Sequence, residues 1–432
     1  MRGCVWLAAI AAGLSYAQEP PTFDRYGGYM PIKRRATGFF RIEQIGTRWM
    51  FVTPEGHPYV ALGANHTGKF FSEPAQSAQL LARFDGDRTE AEAAIASQMR
   101  ALSLNAGEAY KPLLPSLKAH YPYIEDVGFP DGEKFRFDVF DPAVRERIRA
   151  HVSQQCKLFA NNPMVLGVGF ADLPVWKAPR MVYYRSLPAS APGKRRYVEW
   201  LRAKYPEVQR LNEAYATQFE SLDAALPPFN ADPDRPSVRA DDEEFLGIVA
   251  GSLYGLLRST VREAAPNHLF FGEKFVVRMY PEAVLKAVGR HVDVLLTQAL
   301  ILSPQRPPEW QVFQADGYRR EFALVGKPMI VVDWALPFSL GETYQTERGA
   351  VKDESHASKD AAAWLEHAFQ EQYVIGVFMC QLIGAHGNDR WFPAGRMKRT
   401  YLRDDGTPFP ARASIMSAAH QRVLGQIYQS LR

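Results

Sequence analysis

The stretch MVLGVGFAD (164–172) is a run of apolar residues that ends in a carboxylate. A continuously apolar run is typical of a buried parallel strand, whereas a half-exposed antiparallel strand alternates. Seven similar runs occur along the chain, with helix-like segments between them: PYVALGAN (58–65), ALSLNAGE (101–108), PYIEDVGF (122–129), HLFFGEK (268–274), VDVLLTQ (292–298), PMIVVD (328–333) and VIGVFMCQ (374–381). Eight such strands predict an α/β fold, the (β/α)8 TIM barrel, which carries its chemistry at the C-terminal strand ends.

The chain is longer than a bare barrel requires. It has 432 residues, whereas a bare barrel needs roughly 250. Alternating segments flanking turns predict an N-terminal extension with a β-meander over residues 18–57. The catalytic barrel is predicted to fill residues 58–432, with a long helical insertion at about 177–245, after strand four. The acidic run DDEE (241–244) is predicted to open the next helix, because carboxylates favour a helix start.

The first 17 residues resemble a secretory signal peptide. Arg2 supplies a positive start, residues 5–14 are apolar, and residues 15–17 form a small-x-small cleavage site. The apolar stretch is too short to cross a bilayer, and no later run is long enough. The sequence therefore predicts a secreted or periplasmic protein that begins near Gln18 and has no membrane span.

Composition narrows the classes of function. The formal net charge is +4 and no basic run stands out, so the sequence carries no nucleic-acid signature. Cys156 and Cys380 are expected to be reduced and buried. Without a CxxC or HExxH motif or clustered histidines, the sequence predicts no metal and no cofactor. It does not define the oligomeric state.

Two carboxylates stand at strand ends that face each other across the predicted barrel. Asp172 closes strand four and Asp333 closes strand seven. Glycoside hydrolysis needs such a pair, since one carboxyl protonates the leaving oxygen and the other attacks the sugar or activates water. This placement therefore favours a glycosidase that uses these two residues.

Five stretches resemble agarase-type and β-galactosidase-type barrel glycoside hydrolases. They are GFFRIEQIGTRWMFVTPEGHPYVALGANHTG (38–68), VLGVGFADLPVW (165–176), YVEWLRAKYPEVQRLNEAYATQFESL (197–222), KPMIVVDW (327–334) and AGRMKRTYLRDDGTPFP (394–410). The resemblance implies a secreted glycoside hydrolase, with its acid at strand four and its nucleophile at strand seven, that cleaves a galactan-like or other extracellular poly- or oligosaccharide.

The strand-four motif departs from the resembled pattern. Asp172 matches the first residue of the family's Asp-Asn-Glu, but Leu173 and Pro174 follow it. Two short Asp side chains could widen the carboxylate gap toward the inverting range of about 6.5–9.5 Å. Alternatively, the acid is Glu273 or Glu108, or the chain is an inactive carbohydrate-binding barrel. A further alternative is a different hydrolase that uses Glu273 with Lys274.

Other residues near the strand ends are candidates for binding substrate. Polar side chains suited to sugar hydroxyls are Asn65, His66, Glu108, Tyr110, Gln298 and Gln381. Aromatic rings that could stack on a pyranose face are Trp176, Trp334 and Trp391, and Asp389 lies in the same loop as Trp391. We expect Trp176 and Trp334 to lie open at the barrel mouth. A carbohydrate is thus the predicted partner.

Overall fold

The computed structural model describes residues 23–107, 114–130, 136–299, 312–346, 349–384 and 397–431. The predicted signal peptide, Glu108, Tyr110, Asp389 and Trp391 lie outside these residues. The strands are β1 (Arg41–Ile45), β2 (Arg48–Val52), β3 (Pro58–Tyr59), β4 (Ala61–Ala64), β5 (Tyr123–Asp126), β6 (Val165–Asp172), β7 (Leu269–Val276), β8 (Leu295–Gln298), β9 (Met329–Trp334), β10 (Phe338–Ser339), β11 (Tyr344–Thr346), β12 (Gly349–Val351), β13 (Val374–Met379) and β14 (Met397–Lys398).

Helices separate most of these strands. They are α1 (Thr67–Ser72), α2 (Pro74–Ala82), α3 (Arg88–Ala101), α4 (Pro115–His120), α5 (Pro142–Lys157), α6 (Ala178–Ser186), α7 (Pro192–Lys204), α8 (Val208–Tyr215), α9 (Pro236–Ala264), α10 (Glu282–Gly289), α11 (Ala315–Val325), α12 (Glu354–Gln370) and α13 (Pro410–Gln429). Within the described ranges, no helix is both long enough and apolar enough to traverse a lipid bilayer.

The predicted barrel is confirmed. Seven parallel strands form one sheet in the order β4-β13-β9-β8-β7-β6-β5. The remaining gap, between β5 and β4, is filled by residues 104–107. There the Asn105 and Ala106 N–H groups donate to the Leu62 carbonyl at 2.9 and 3.0 Å, and the Gly107 N–H donates to the Pro122 carbonyl at 2.8 Å. The second predicted run thus completes the ring of eight.

The N-terminal meander covers the end of the barrel opposite the strand C-termini. Its three strands pair antiparallel in the order β1-β2-β3. The Trp49 N–H donates to the Gln372 carbonyl at 2.8 Å, just before β13 begins. Phe51 approaches Phe271 in the barrel interior, with 6.4 Å between ring centroids. The meander therefore packs against the N-terminal end of the barrel strands.

The insertion after β6 forms a helical layer made of α6 to α9. Tyr197 and Trp200 on α7 pack against Phe245 on α9, with ring centroids 4.9 and 5.5 Å apart. The prediction for the acidic run is wrong, because α9 begins at Pro236 and residues 241–244 lie inside it. Both acids are buried and have partners: Asp242 pairs with Arg185 on α6, and Asp241 accepts a hydrogen bond from Tyr205 at 2.8 Å.

Candidate functional site

The C-terminal strand ends bring several predicted residues together at the barrel mouth. Asp333 is at their centre, and its side chain is 10% exposed. The Asn65 amide, which follows β4, donates to Asp333 Oδ1 at 2.7 Å. His66 Nε2 lies 3.5 Å from the same oxygen. The structure therefore places Asn65 and His66 against the candidate catalytic carboxylate.

Electrostatics keep Asp333 ionised. Burial raises the pKa of its carboxyl, but the His66 hydrogen bond, the His66 charge and the Lys274 charge outweigh burial and hold the pKa below its usual value. Burial alone would lower the pKa of His66, but the nearby Cys380 sulfur and the Asp333 carboxylate raise it to about 10. Such a carboxylate is suited to act as a nucleophile or base.

Lys274 also faces Asp333 and interacts with its charge. Burial lowers the pKa of its ammonium to about 7, while Asp333 and Cys380 act in the opposite direction. The sequence predicted Lys274 only as a partner of Glu273, and Cys380 only as a buried, reduced thiol. Lys274 is the last residue of the fifth run and Cys380 the last but one of the eighth, but these positions alone do not show which way each side chain points.

Asp172 lies at the end of β6 with Gln298 beside it. The Gln298 side-chain amide donates to Asp172 Oδ1, and Gln298 is buried at the end of β8. In the sheet register, Asp172 is opposite Lys274. Leu173 follows with a positive φ of 52°, so the chain turns sharply after the carboxylate. The structure therefore brings two predicted residues, Asp172 and Gln298, into contact.

Glu273 points away from this cluster. Its Oε2 accepts hydrogen bonds from Trp176 Nε1 at 2.9 Å and from the Tyr254 hydroxyl at 2.8 Å. Tyr254 is on α9, so Glu273 faces the helical layer, whereas Lys274 faces Asp333. Successive side chains of a strand point to opposite faces. Neither the alternative acid role of Glu273 nor a joint Glu273–Lys274 site fits this placement.

The predicted exposure of Trp176 and Trp334 is wrong. Trp176 is fully buried, and the Arg180 guanidinium lies over its ring at 3.9 Å. Trp334 is also buried and stacks on Trp364 of α12, with ring centroids 4.3 Å apart. Both rings pack between the barrel and its helices. Trp334 does so because strand alternation turns it outward when Asp333 faces inward. Neither ring presents an open stacking surface.

Gln381 is also buried and bonds to its own segment. Its side-chain amide donates to the Gly384 carbonyl at 2.5 Å, which holds the chain in place after β13. The preceding residue, Cys380, is 6% exposed. Three atoms able to bind a metal, one each from Cys380, His66 and Asp333, lie within 4.8 Å of one another. The mouth therefore contains a sulfur, an imidazole and a carboxylate in one small cluster.

Solved structures with the same fold include several enzymes of carbohydrate chemistry. The chain is similar to an agarase, AgWH50C, with a TM-score of 0.76 and 17% identity over 94% of this chain and 68% of that one. An exo-beta-agarase matches with a TM-score of 0.76 and 16% identity, over 94% of this chain and 67% of that one. A beta-galactosidase from the psychrophilic Marinomonas ef1 matches with a TM-score of 0.55 and 13% identity, over 85% and 60%. At these identities the likeness establishes the fold.

No protein-family model matches the chain, and no curated protein matches it significantly in sequence.

Proposed function

We propose that the protein is a glycoside hydrolase whose reaction takes place at the barrel mouth. The observation that carries this proposal is the environment of Asp333. A carboxylate at the end of strand seven is held ionised by Asn65, His66 and Lys274. This is the strand end at which the resembled glycosidases keep their nucleophile.

Asp172 is the proposed general acid. A general acid must be protonated before the reaction and ionised after it. The neighbouring Gln298 amide suits both states, because an amide can donate to a carboxylate or, after rotation, accept from a carboxylic acid. Asp333 then acts as nucleophile, or as the base for a water molecule, according to the separation of the two carboxyls.

The proposed substrate is a galactan-like or other extracellular poly- or oligosaccharide. The resemblance of five sequence stretches to agarase-type and β-galactosidase-type enzymes supports this class, and so does the fold shared with proteins described as agarases and beta-galactosidases. The signal-like first 17 residues support a secreted or periplasmic location.

The test is a screen of agarose oligosaccharides and aryl β-galactosides with the wild-type protein and single variants. Asp333→Asn and Asp172→Asn should each reduce turnover by at least about 100-fold, the range typical of lost acid–base or nucleophilic groups. Asp316→Asn, the same change at a side chain that is 87% exposed, is the matched control and should retain full activity. Retention of turnover in both mouth variants would contradict the proposal.

A second candidate is a carbohydrate-binding barrel without catalytic activity. The observation that favours it is the strand-four sequence, where Leu173 and Pro174 replace the Asn-Glu of the resembled family. In this case calorimetry would detect binding of galactan oligosaccharides, while no aryl glycoside or oligosaccharide would be cleaved. Turnover by the wild-type protein excludes this candidate.

A further inference from the structure

We propose that His66, Asp333 and Cys380 form a binding site for a soft divalent metal ion, with Zn²⁺ as the expected occupant. Each residue offers one ligand atom, and the three atoms lie within 4.8 Å of one another. Imidazole nitrogen, carboxylate oxygen and thiolate sulfur are the three kinds of side-chain ligand that zinc uses in proteins.

The distances suit a tetrahedral ion. His66 Nε2 and Asp333 Oδ1 are 3.5 Å apart. Two ligands on tetrahedral zinc with bonds of about 2.1 Å are separated by roughly 3.4 Å. This pair is therefore already at ligand spacing. The Cys380 sulfur lies within 4.8 Å of both ligand atoms and would complete the set with a longer bond of about 2.3 Å. A solvent or substrate atom would fill the fourth position.

The fold fixes the three ligands independently of any ion. They follow or end β4, β9 and β13, which are consecutive in the sheet order β4-β13-β9. Asn65 donates to Asp333 Oδ1, and an outer hydrogen bond of this kind orients a metal-binding carboxylate. The ligands belong to strand ends, so little ordering is required when the ion binds.

Charge also favours a divalent cation. When the ion binds, it displaces the protons of His66 and Cys380. Asp333 and the bound thiolate then supply two negative charges, and the neutral imidazole completes the ligand set. Lys274 opposes the cation, since it faces both Asp333 and Cys380. We therefore expect weaker binding than at a closed structural zinc site. If the proposed glycosidase function holds, an ion on Asp333 would also block the catalytic carboxylate, and zinc would inhibit turnover.

The test uses Co²⁺ as a spectroscopic substitute for Zn²⁺ on the full chain, after treatment with a chelator. Wild-type protein should bind one Co²⁺ per chain, with a thiolate-to-metal absorption band in the near ultraviolet that added Zn²⁺ removes. Cys380→Ser should lose this band. Cys156→Ser, the same change at another buried free thiol, is the matched control and should retain it.

His66→Asn is the second variant. His66 has a positive φ, and asparagine tolerates this left-handed backbone. It should weaken Co²⁺ binding by at least tenfold. The proposal is overturned if wild-type protein shows no such band, or if Cys380→Ser keeps the band or His66→Asn binds Co²⁺ as tightly as wild type. These measurements use no carbohydrate, so their outcome does not depend on the glycosidase proposal. That proposal is tested separately, by the substrate screen carried out with chelator present.

Discussion

Two residues of the mouth cluster adopt a backbone conformation that side chains rarely allow. His66 has a φ of 67° and Asp333 a φ of 55°, and neither is glycine. Such conformations cost free energy and are found most often at functional sites. Here they accompany the approach of His66 Nε2 to Asp333 Oδ1. The local backbone thus holds the imidazole beside the carboxylate.

Replacing His66 should change the pH dependence of the proposed reaction. His66→Asn removes a positive charge that lowers the pKa of Asp333. The pKa of Asp333 should therefore rise in this variant. The acid limb of kcat/KM, which reports ionisation of the free enzyme's essential carboxylate, should then move to higher pH. His367→Asn, at an exposed residue of α12, should leave the profile unchanged. An unmoved acid limb in a folded His66→Asn protein would count against Asp333 as the ionised group.

A buried ion pair joins two helices of the insertion. Arg185 on α6 pairs with Asp242 on α9, with Nη2 and Oδ2 3.1 Å apart, and both side chains are buried. Lys194 of α7 donates to the Arg185 carbonyl at 2.7 Å. The acidic run therefore connects helices inside the insertion, which packs over the strand-four side of the barrel.

Removing one partner of this ion pair should be costly. Arg185→Ala leaves the Asp242 carboxylate buried without its counter-ion, which typically costs about 3–5 kcal/mol of unfolding free energy. Arg422→Ala removes a surface pair with Glu366, whose side chains are 52% and 35% exposed, and should cost less than about 1 kcal/mol. Urea denaturation measures both. If the two variants lose similarly small amounts of unfolding free energy, the buried pair does not hold the insertion together.

Glycines on the barrel strands allow the barrel interior to pack. A Cβ at Gly167 would lie 2.4 Å from the ring of Phe271, and one at Gly63 would lie 2.6 Å from Phe378. These rings belong to the interior cluster that also includes Phe51 of the meander. Large side chains of one strand therefore fill the space left by glycines of its neighbours.

One buried carboxyl should give global stability a distinct pH dependence. The Arg278 N–H donates to Glu321 Oε1 at 2.8 Å, but burial still raises the pKa of Glu321 from 4.5 to about 7. Between these values the unfolded chain releases a proton that the folded protein retains. The free energy of unfolding should therefore fall as pH rises from about 4.5 to about 7.

Glu321→Gln should remove this contribution, since an amide does not ionise. Denaturation at a series of pH values should show a flatter dependence for this variant than for wild type. Glu199→Gln, at a side chain that is 58% exposed, should keep the wild-type slope. If the Glu321→Gln and wild-type slopes agree, burial does not shift this carboxyl as described.

The apolar runs by themselves determined the barrel and the residues at its mouth. Eight runs separated by helical segments are sufficient for this topology, and the last residue of a run must lie near the C-terminal edge. Asn65, Asp172 and Asp333 could therefore be predicted to lie at the mouth. His66 and Asp333 were predicted separately, but their grouping with Cys380 was not, because the three residues come from distant parts of the chain and no local motif marks them.

Only the tertiary structure decided which of two consecutive residues faces the mouth. Asp333 points inward and Trp334 outward, while Lys274 points inward and Glu273 outward. Side chains of a strand alternate with a period of two. A run that is apolar on both faces does not alternate between polar and apolar residues, so the sequence does not show which residues face inward. The orientation of its last residues therefore depends on how the strand pairs and packs with its neighbours.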